Sequence, residues 1–283
     1  MAGSQIRQWY QRSGFASLDD LESPHWKEVF RKLEEVQSDF LSYEKLFRSP
    51  GYRWPRDPLH FVARPWEYAY VLSHLRDWQA NHPEIDRLKV MDFGSGVTFF
   101  PFALARQNME VTAVDVDPIV QNDLRKASQV VSASPGTVSF TLSREDNAIP
   151  VGTSSFDCVY SVSVLEHIQD RISAAKELMR ALKPHGLLIL TFDVCFQGGS
   201  EITPEHYVLL TNYLRDQTEL VWPEVSVHPS RTLSCYNGPY PLGGRAPLSC
   251  KLRRWSKNCV KRMVGESVVP LDCVFMGMVL RRT

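Results

Sequence analysis

Four short stretches hold the residues whose types and spacing can do chemistry. The first is Val90-Met91-Asp92-Phe93-Gly94-Ser95-Gly96, an apolar run ending in two glycines one residue apart. A strand that ends this way can turn tightly and bring backbone amides against a ligand. The second is VTAVDVDP, in which Asp115 stands 19 residues after Gly96. A carboxylate there, near the end of a second strand, is placed to accept both hydroxyls of a ribose. The third is SREDNAIP, where Asp146 and Asn147 offer hydrogen bonds to adenine edge atoms and Ala148 and Ile149 offer apolar contact. The fourth is YSVSVLEHIQD, with small Ser161 and Ser163 followed by Glu166 and His167. A histidine titrates near neutrality, so His167 is the candidate general base. Glu166 would orient it or bind a cofactor. The competing reading of His167 is a residue that caps or packs the next helix.

The ligand is not read as a dinucleotide. Nicotinamide binding uses GxGxxG, and Phe99 occupies the third glycine position here. A large ring cannot give the close helix–strand approach which that glycine provides. No GxxxxGK followed by Ser or Thr occurs either, so no phosphate-cradling lysine follows the turn. The chemistry left is a nucleoside beside a glycine turn without a pyrophosphate signature.

These residues need a scaffold that brings strand ends together. From Leu88 to about Val194 short apolar strands alternate with helical stretches. KVMDF, MEVTAVDVD, TVSFTLSRED, SFDCVYSVSV and GLLILTFDV read as strands. TFFPFALARQN, PIVQNDLRKASQVVS and IQDRISAAKELMRALK read as helices between them, with Pro101 and Pro118 in first turns. Lys183-Pro184-His185-Gly186 reads as the stop of the last helix. The alternation predicts an α/β fold, a doubly wound, mostly parallel sheet with helices on both faces. Ligands in such sheets bind beyond the carboxyl ends of the strands, where all four stretches fall. Residues 1–84 form a helical addition and lid. There Trp26, Val29, Phe30, Leu33 and Val36 mark one helix face, and a second helix is expected around ARPWEYAYVLSHLRDWQANHP. Residues 85–283 form the main domain, with an insertion at about 196–270. That insertion opens with a helix capped by Thr203 and contains a loop without regular structure. VPLDCVFMGMVLRR closes the chain as a strand.

In this order and spacing, the motifs resemble those of the class I S-adenosylmethionine-dependent methyltransferases. VMDFGSGVTFF is similar to that family's glycine-rich first motif, and VTAVDVDP to its ribose-binding acidic motif. SREDNAIPVGTSSFDCVYSVSVLEHIQD is similar to the adenine loop and fourth strand, and ELMRALKPHGLLILTF to the last motif. The resemblance spans about residues 85–195. It implies a Rossmann-like seven-stranded sheet with the last strand antiparallel, and S-adenosyl-L-methionine as cofactor. It also implies roles. Asp92, Gly94, Ser95, Gly96 and Ser161 would lie around the methionine part. Asp115 would hold the ribose, Val116 would flank adenine, and Asp146 and Asn147 would meet the adenine edge. The pairing of Arg64 with the cofactor carboxylate is a reading of the N-terminal lid segment beside the resemblance and not part of it. One departure is Thr98, where family members often have glycine; the bulk of Phe99, Phe100 and Pro101 predicts a shifted helix start.

The implied reaction is in-line methyl transfer to a small-molecule acceptor, by O- or N-methylation. Tyr52, Trp54, Phe61, Trp66 and Tyr68 are candidate walls for an aromatic acceptor. His206, Tyr207, Tyr213, His228 and Tyr236 are candidate groups from the insertion. Two other readings stay open: an RNA or protein methyltransferase, and a relative that binds the cofactor without methylating. The chain of 283 residues has 32 Lys and Arg against 32 Asp and Glu, a balance that disfavours a dedicated nucleic-acid binder without excluding one. Arg253, Arg254, Lys257, Lys261 and Arg262 would be the docking face in that case. Six cysteines show no CxxC spacing, and no metal-ligand set is evident. No apolar run reaches the roughly 18 residues of a membrane span, and MAGSQIRQWY lacks an apolar leader core. The expectation is a cytoplasmic protein with no membrane partner; its oligomeric state is not legible.

Overall fold

A computed structural model describes residues 8–144, 146–196, 202–241 and 273–283. In chain order the elements begin with β1 (Gly14–Phe15), α1 (Leu18–Glu22), α2 (Pro24–Ser42), α3 (Glu44–Phe47) and α4 (Arg64–Asn81). Next come β2 (Lys89–Phe93), α5 (Phe100–Ala105), β3 (Glu110–Asp115), α6 (Pro118–Ala127), β4 (Thr137–Leu142) and β5 (Phe156–Val162). A 3₁₀ turn at Leu165–His167 leads to α7 (Arg171–Ala181), β6 (Leu182–Cys195), α8 (Pro204–Arg215), β7 (Thr218–Leu220) and β8 (Cys273–Arg282). The basic cluster 253–262 and Cys250 and Cys259 lie outside the described residues.

The sheet runs β1-β8-β6-β5-β2-β3-β4, with β7 also paired to β8. The pairs among β2, β3, β4, β5 and β6 are parallel, and β6 meets β8 antiparallel. The doubly wound, mostly parallel architecture and the antiparallel closing strand are therefore present. Seven strands are expected, and among the described residues eight occur, in seven positions. One edge of β8 is taken by β6 along Cys273–Arg281. On its other edge β1 pairs Gly277 and Met276 while β7 pairs Leu280 to Arg282. Two short strands from distant parts of the chain thus share the outermost position.

Side chains of the central strands alternate between two cores, as the period of two requires. Val90, Cys158, Tyr160, Leu187 and Ile189 enter one core, whereas Met91, Val159, Leu188 and Leu190 enter the other. Burial on both faces is why these strands read as continuous apolar runs. The first core also takes Trp26, Val29, Leu33 and Phe40 from α2. Residues before 84 are consequently part of the same core as the sheet, joined to it through β1. Close packing of α4 over β8 depends on Gly277. A Cβ there would stand 2.6 Å from Trp66 Cη2 and 2.8 Å from the Tyr70 ring. Trp66 and Tyr70 stack at 4.7 Å above that gap. This seat sets the height of the α4 N-terminus over the strand ends. Among the described residues no helix is long and apolar enough to cross a membrane.

Candidate active site

The strand ends of β2, β3, β5 and β6 open into a cavity of about 1180 Å³. At one end lies the glycine turn. Gly94 and Gly96 have φ of +74° and +54°, a region L side chains rarely adopt. A Cβ on Gly94 would also stand 2.4 Å from Val164 Cγ2. The amides of Gly94 and Ser95 donate to the Val114 carbonyl at 2.8 and 3.1 Å, which ties the turn to β3. The helix after the turn starts at Phe100, with Pro101 in its first turn and no side-chain cap. Phe99, Phe100 and Phe102 turn inward and are fully buried, so their bulk fills the core and leaves the turn clear.

Asp115 closes β3 beside this turn. One of its carboxylate oxygens accepts the Gly96 amide at 2.9 Å and the other the Asp117 amide at 3.0 Å. Burial raises its pKa while these amides oppose the rise. Asp117 caps α6 by accepting the Ile119 amide at 2.8 Å, with Pro118 at the first turn. Val116 is 53% exposed, an apolar face open to the cavity. Asp146 and Asn147 line the same end, Asn147 at φ +66° and Asp146 paired with Arg144 at 3.2 Å. The hydroxyl of Tyr52 accepts the Val97 amide at 2.9 Å and stands over Gly96.

Two expected contributors are not on the cavity wall. Asp92 is buried under the turn, and burial, with the Asp115 charge adding to it, pushes its carboxyl up to about 8. Ser161 is fully buried within the sheet and its hydroxyl donates to the Phe93 carbonyl at 3.2 Å. Ser163, two residues on, reaches the wall instead. Its φ of +46° turns it out of the pleat.

The opposite, inner end is built from distant segments. Glu67 of α4 is fully buried; it is paired with Arg64 at 2.5 Å and accepts the Ser163 hydroxyl at 2.7 Å. Burial would lower the Arg64 pKa, but the charge of Glu67, with Glu166 and Asp193 further off, leaves it raised. Arg64 therefore lines the cavity already ion-paired. Glu166 is 1% exposed, and neither carboxyl oxygen has a hydrogen-bond partner among the described residues. Burial, then the charge of Asp193, pushes its pKa well above the ordinary value. His167 lines the cavity but is exposed, its ring 5.6 Å from that of Trp54. Successive residues of a 3₁₀ turn point about a third of a turn apart, so Glu166 faces inward and does not orient His167. Among the proposed aromatic walls, Tyr52, Trp54, Phe61 and Tyr68 line the cavity, while Trp66 is a core residue whose Nε1 donates to Asp20 at 2.8 Å. Of the candidates from the insertion only Tyr236 reaches it. Glu67, Asp193 and Phe275 were not expected there. A charged residue in a helix and an acid near the end of a strand carry no sequence signal that separates site from surface, and only the structure shows α4 buried from Pro65 to Leu75.

A glycine turn tied to an acid that ends the next strand is the arrangement which the resemblance in the sequence implied. The sequence model described as "Methyltransferase domain" matches residues 91–190, which run from β2 through β6 and contain that arrangement. The match shows a methyltransferase domain within residues 91–190. An uncharacterized methyltransferase of Mycobacterium avium (strain 104) is 29% identical to this chain over 134 residues, 46% of this chain and 51% of its own length. Another, from Mycobacterium sp. (strain JLS), is 31% identical over 121 residues, 42% of this chain and 45% of its own. The chain thus spans about half the length of the curated relatives it matches. The solved structure of the 4+2 cyclase SpnF superposes with a TM-score of 0.51 at 18% identity, over 92% of this chain and 97% of that one. At that identity the likeness concerns the fold, and the fold does not fix the reaction.

The residues present fit S-adenosyl-L-methionine, the donor of the family. Side chains at positions 94 and 96 would fill the cradle that the turn leaves open, Asp115 offers acceptor oxygens beside it, and Val116 offers an exposed apolar face.

Proposed function

We propose that this protein transfers the methyl group of S-adenosyl-L-methionine to a small-molecule acceptor. The carrying observation is that one cavity joins the glycine turn and Asp115 at one end to a polar chamber walled by Glu67, Ser163 and Phe275 at the other. When bound, the cofactor supplies an electrophilic methyl on a sulfonium. Asp115 would accept the ribose hydroxyls, Val116 would lie on the adenine face, and Asp146 and Asn147 would meet its edge. Arg64 would reach the amino-acid carboxylate, and Asp92 would act beneath the turn. The inner chamber would hold the acceptor lone pair in line behind the methyl carbon, and such positioning can supply about 7 kcal/mol or more of the barrier. Charge is lost as the carbon–sulfur bond breaks, so walls that exclude water favour transfer over the charged ground state. His167, on the wall, would receive a proton where the acceptor is a hydroxyl.

The aromatic mouth of Tyr52, Trp54, Phe61 and Tyr68 supports a small acceptor. Incubation with methyl-labelled cofactor and a metabolite extract tests this, with mass spectrometry reading for a product one methylene heavier. Label appearing only in RNA or protein rejects the small-molecule reading.

A further inference from the structure

Three cysteines meet at the inner end of the cavity, and the methyl-transfer reading gives none of them a task. Cys195 closes β6, Cys273 opens β8, and the two are paired in register. On the other edge of β8, Ser234 bridges Val274 and the Cys235 amide donates to the Cys273 carbonyl at 3.2 Å. Residues directly opposite in antiparallel strands point to the same face. The three side chains therefore form one row across adjacent segments, and all three line the cavity. Among the described residues every cysteine is a thiol and none is in a disulfide.

The row has the geometry of a bridgeable pair. The Cys195 amide donates to the Ile202 carbonyl at 2.9 Å, and the Cys273 carbonyl is turned to Cys235. Both groups point away from the boundary between β6 and β8, which makes Cys195 and Cys273 a non-hydrogen-bonded pair. Such pairs hold their Cα atoms about 4.5 Å apart, inside the span of about 4.4–6.8 Å that a disulfide bridges. Cys235 and Cys273 form the wider, hydrogen-bonded kind at about 5.5 Å, also inside that span. Cys158 supplies the contrast. It is fully buried within the sheet, away from the cavity wall, and burial pushes its thiol well above the ordinary range. A small oxidant in the cavity meets the row and not Cys158.

We propose that Cys195 and Cys273 are a redox modification site, which hydrogen peroxide joins in a reversible disulfide and with which Cys235 exchanges. The sulfur of one thiol attacks a peroxide oxygen, the O–O bond breaks, and a sulfenic acid and one water result. The sulfur of the second thiol attacks the sulfenic sulfur, the S–S bond forms, and the sulfenic hydroxyl leaves with the thiol proton as a second water. Two thiols thus lose two electrons and two protons, and one peroxide becomes two waters. Attack of Cys235 on the Cys273 sulfur expels Cys195 as its thiolate and moves the bond across β8. Oxidation draws the ends of β6 and β8 together and removes the hydrogen that the Cys273 thiol donates to Asp193 at 3.7 Å. Its effect falls on the acceptor end, because the glycine turn and Asp115 belong to β2 and β3.

The bond itself is tested without reference to methyl transfer. The full chain is treated with hydrogen peroxide, unfolded, alkylated and digested, and its peptides are read by mass spectrometry. The expected result is a peptide linking Cys273 to Cys195 or Cys235, cleaved by dithiothreitol, with Cys158 recovered alkylated. No link, links only through Cys250 or Cys259, or irreversible sulfinic acid in the row overturns the proposal. Its effect on the acceptor end rests on the methyl-transfer reading. The oxidised chain is expected to bind S-adenosylhomocysteine within twofold of the reduced chain by calorimetry. Label transfer from methyl-labelled cofactor to a metabolite extract should fall at least tenfold and return with dithiothreitol. Cys273→Ser should form no such link and lose no labelling to peroxide. Undiminished labelling by the fully linked wild-type chain, or an equal loss of S-adenosylhomocysteine affinity, overturns the placement of the effect. A reduced chain that neither binds S-adenosylhomocysteine nor labels the extract overturns the methyl-transfer reading, and the linked peptide still decides the thiol site.

Discussion

The two ends of the cavity are held in different ways. At the glycine turn the backbone does the holding: amides of Gly94 and Ser95 meet the Val114 carbonyl, and amides of Gly96 and Asp117 meet Asp115. All of these partners lie within one strand–turn–helix–strand unit. At the inner end the contacts are between side chains of remote segments, and the Ser163–Glu67 hydrogen bond spans 96 positions. The first end is local and satisfied by the backbone, and the second is assembled by packing between ionisable side chains of remote segments. Changes of backbone shape should therefore be felt most at the turn, and changes of charge most at the inner end.

The largest break expected from this contrast is Gly94→Ala. It places a Cβ 2.4 Å from Val164 Cγ2 at a φ of +74°, and left-handed backbone alone costs a non-glycine residue about 1–2 kcal/mol. S-adenosylhomocysteine affinity should fall about 100-fold or more by calorimetry, with a lowered melting temperature. Adding Val164→Ala removes the collision and leaves the φ strain, so the double variant should recover part of the loss. Full recovery would mean that crowding, and not backbone conformation, governs the turn.

Asp115→Ala comes next. Its oxygens would serve the ribose and already hold the Gly96 amide at 2.9 Å. Losing hydrogen bonds to a charged group, at about 1.5–3 kcal/mol each, predicts an affinity loss of about 10- to 100-fold for S-adenosylmethionine and S-adenosylhomocysteine alike. A loss confined to S-adenosylmethionine would place Asp115 near the sulfonium, and the assignment of the two ends would change.

The same contrast explains what the sequence disclosed. Strands β2 to β5 and the glycine–acid pair follow from local pattern, because an apolar run stopped at Gly94 and an acid after VTAV are set by neighbours in the chain. Strands β1 and β7 have two and three residues and exist only through β8, so no periodicity announces them. Lys183-Pro184-His185-Gly186 was read as a helix stop; α7 ends at Ala181 and those residues already belong to β6, with His185 at φ +61°. The resemblance implies Ser161 beside the methionine part, but strand alternation puts Ser161 and Ser163 on one face, and the positive φ of Ser163 is what brings that residue to the wall. Glu67 and Asp193 look like ordinary charges until α4 settles over Gly277. The inner end is tertiary in origin, so Glu67, Asp193 and Phe275 escape a sequence reading that does name Arg64, Ser163 and Glu166.

Beneath the turn, Asp92 offers a test of stability, not of affinity, that depends on pH. Its folded pKa is raised from 3.8 to about 8 by burial. The folded state therefore keeps a proton that the unfolded chain releases above about pH 4. The contribution to stability is fully present below the unfolded pKa and is lost as pH rises toward 8. Asp92→Asn removes this titration. Its stability relative to wild type should improve by about 1 kcal/mol per pH unit between pH 4 and 8, read from denaturant midpoints. A difference independent of pH would show that Asp92 is ionised in its burial site.

The smallest effect is expected where the two ends meet the solvent. Trp54 is 57% exposed and touches the site through the His167 ring at 5.6 Å, so truncating it removes little buried area. Trp54→Ala should leave the melting temperature unchanged and raise the acceptor KM less than about fivefold, within the roughly 1 kcal/mol that one partly exposed aromatic contact contributes. Tyr52→Phe is its counterpart on the donor side: it deletes the hydroxyl that accepts the Val97 amide at 2.9 Å. A neutral hydrogen bond of about 1 kcal/mol predicts a loss of about fivefold in cofactor affinity with the acceptor KM unmoved. The pair divides the mouth. If Trp54→Ala shifted cofactor affinity and Tyr52→Phe shifted acceptor KM, the boundary between the ends would run on the other side of His167, and that residue would belong with the cofactor and not with the proton of the acceptor.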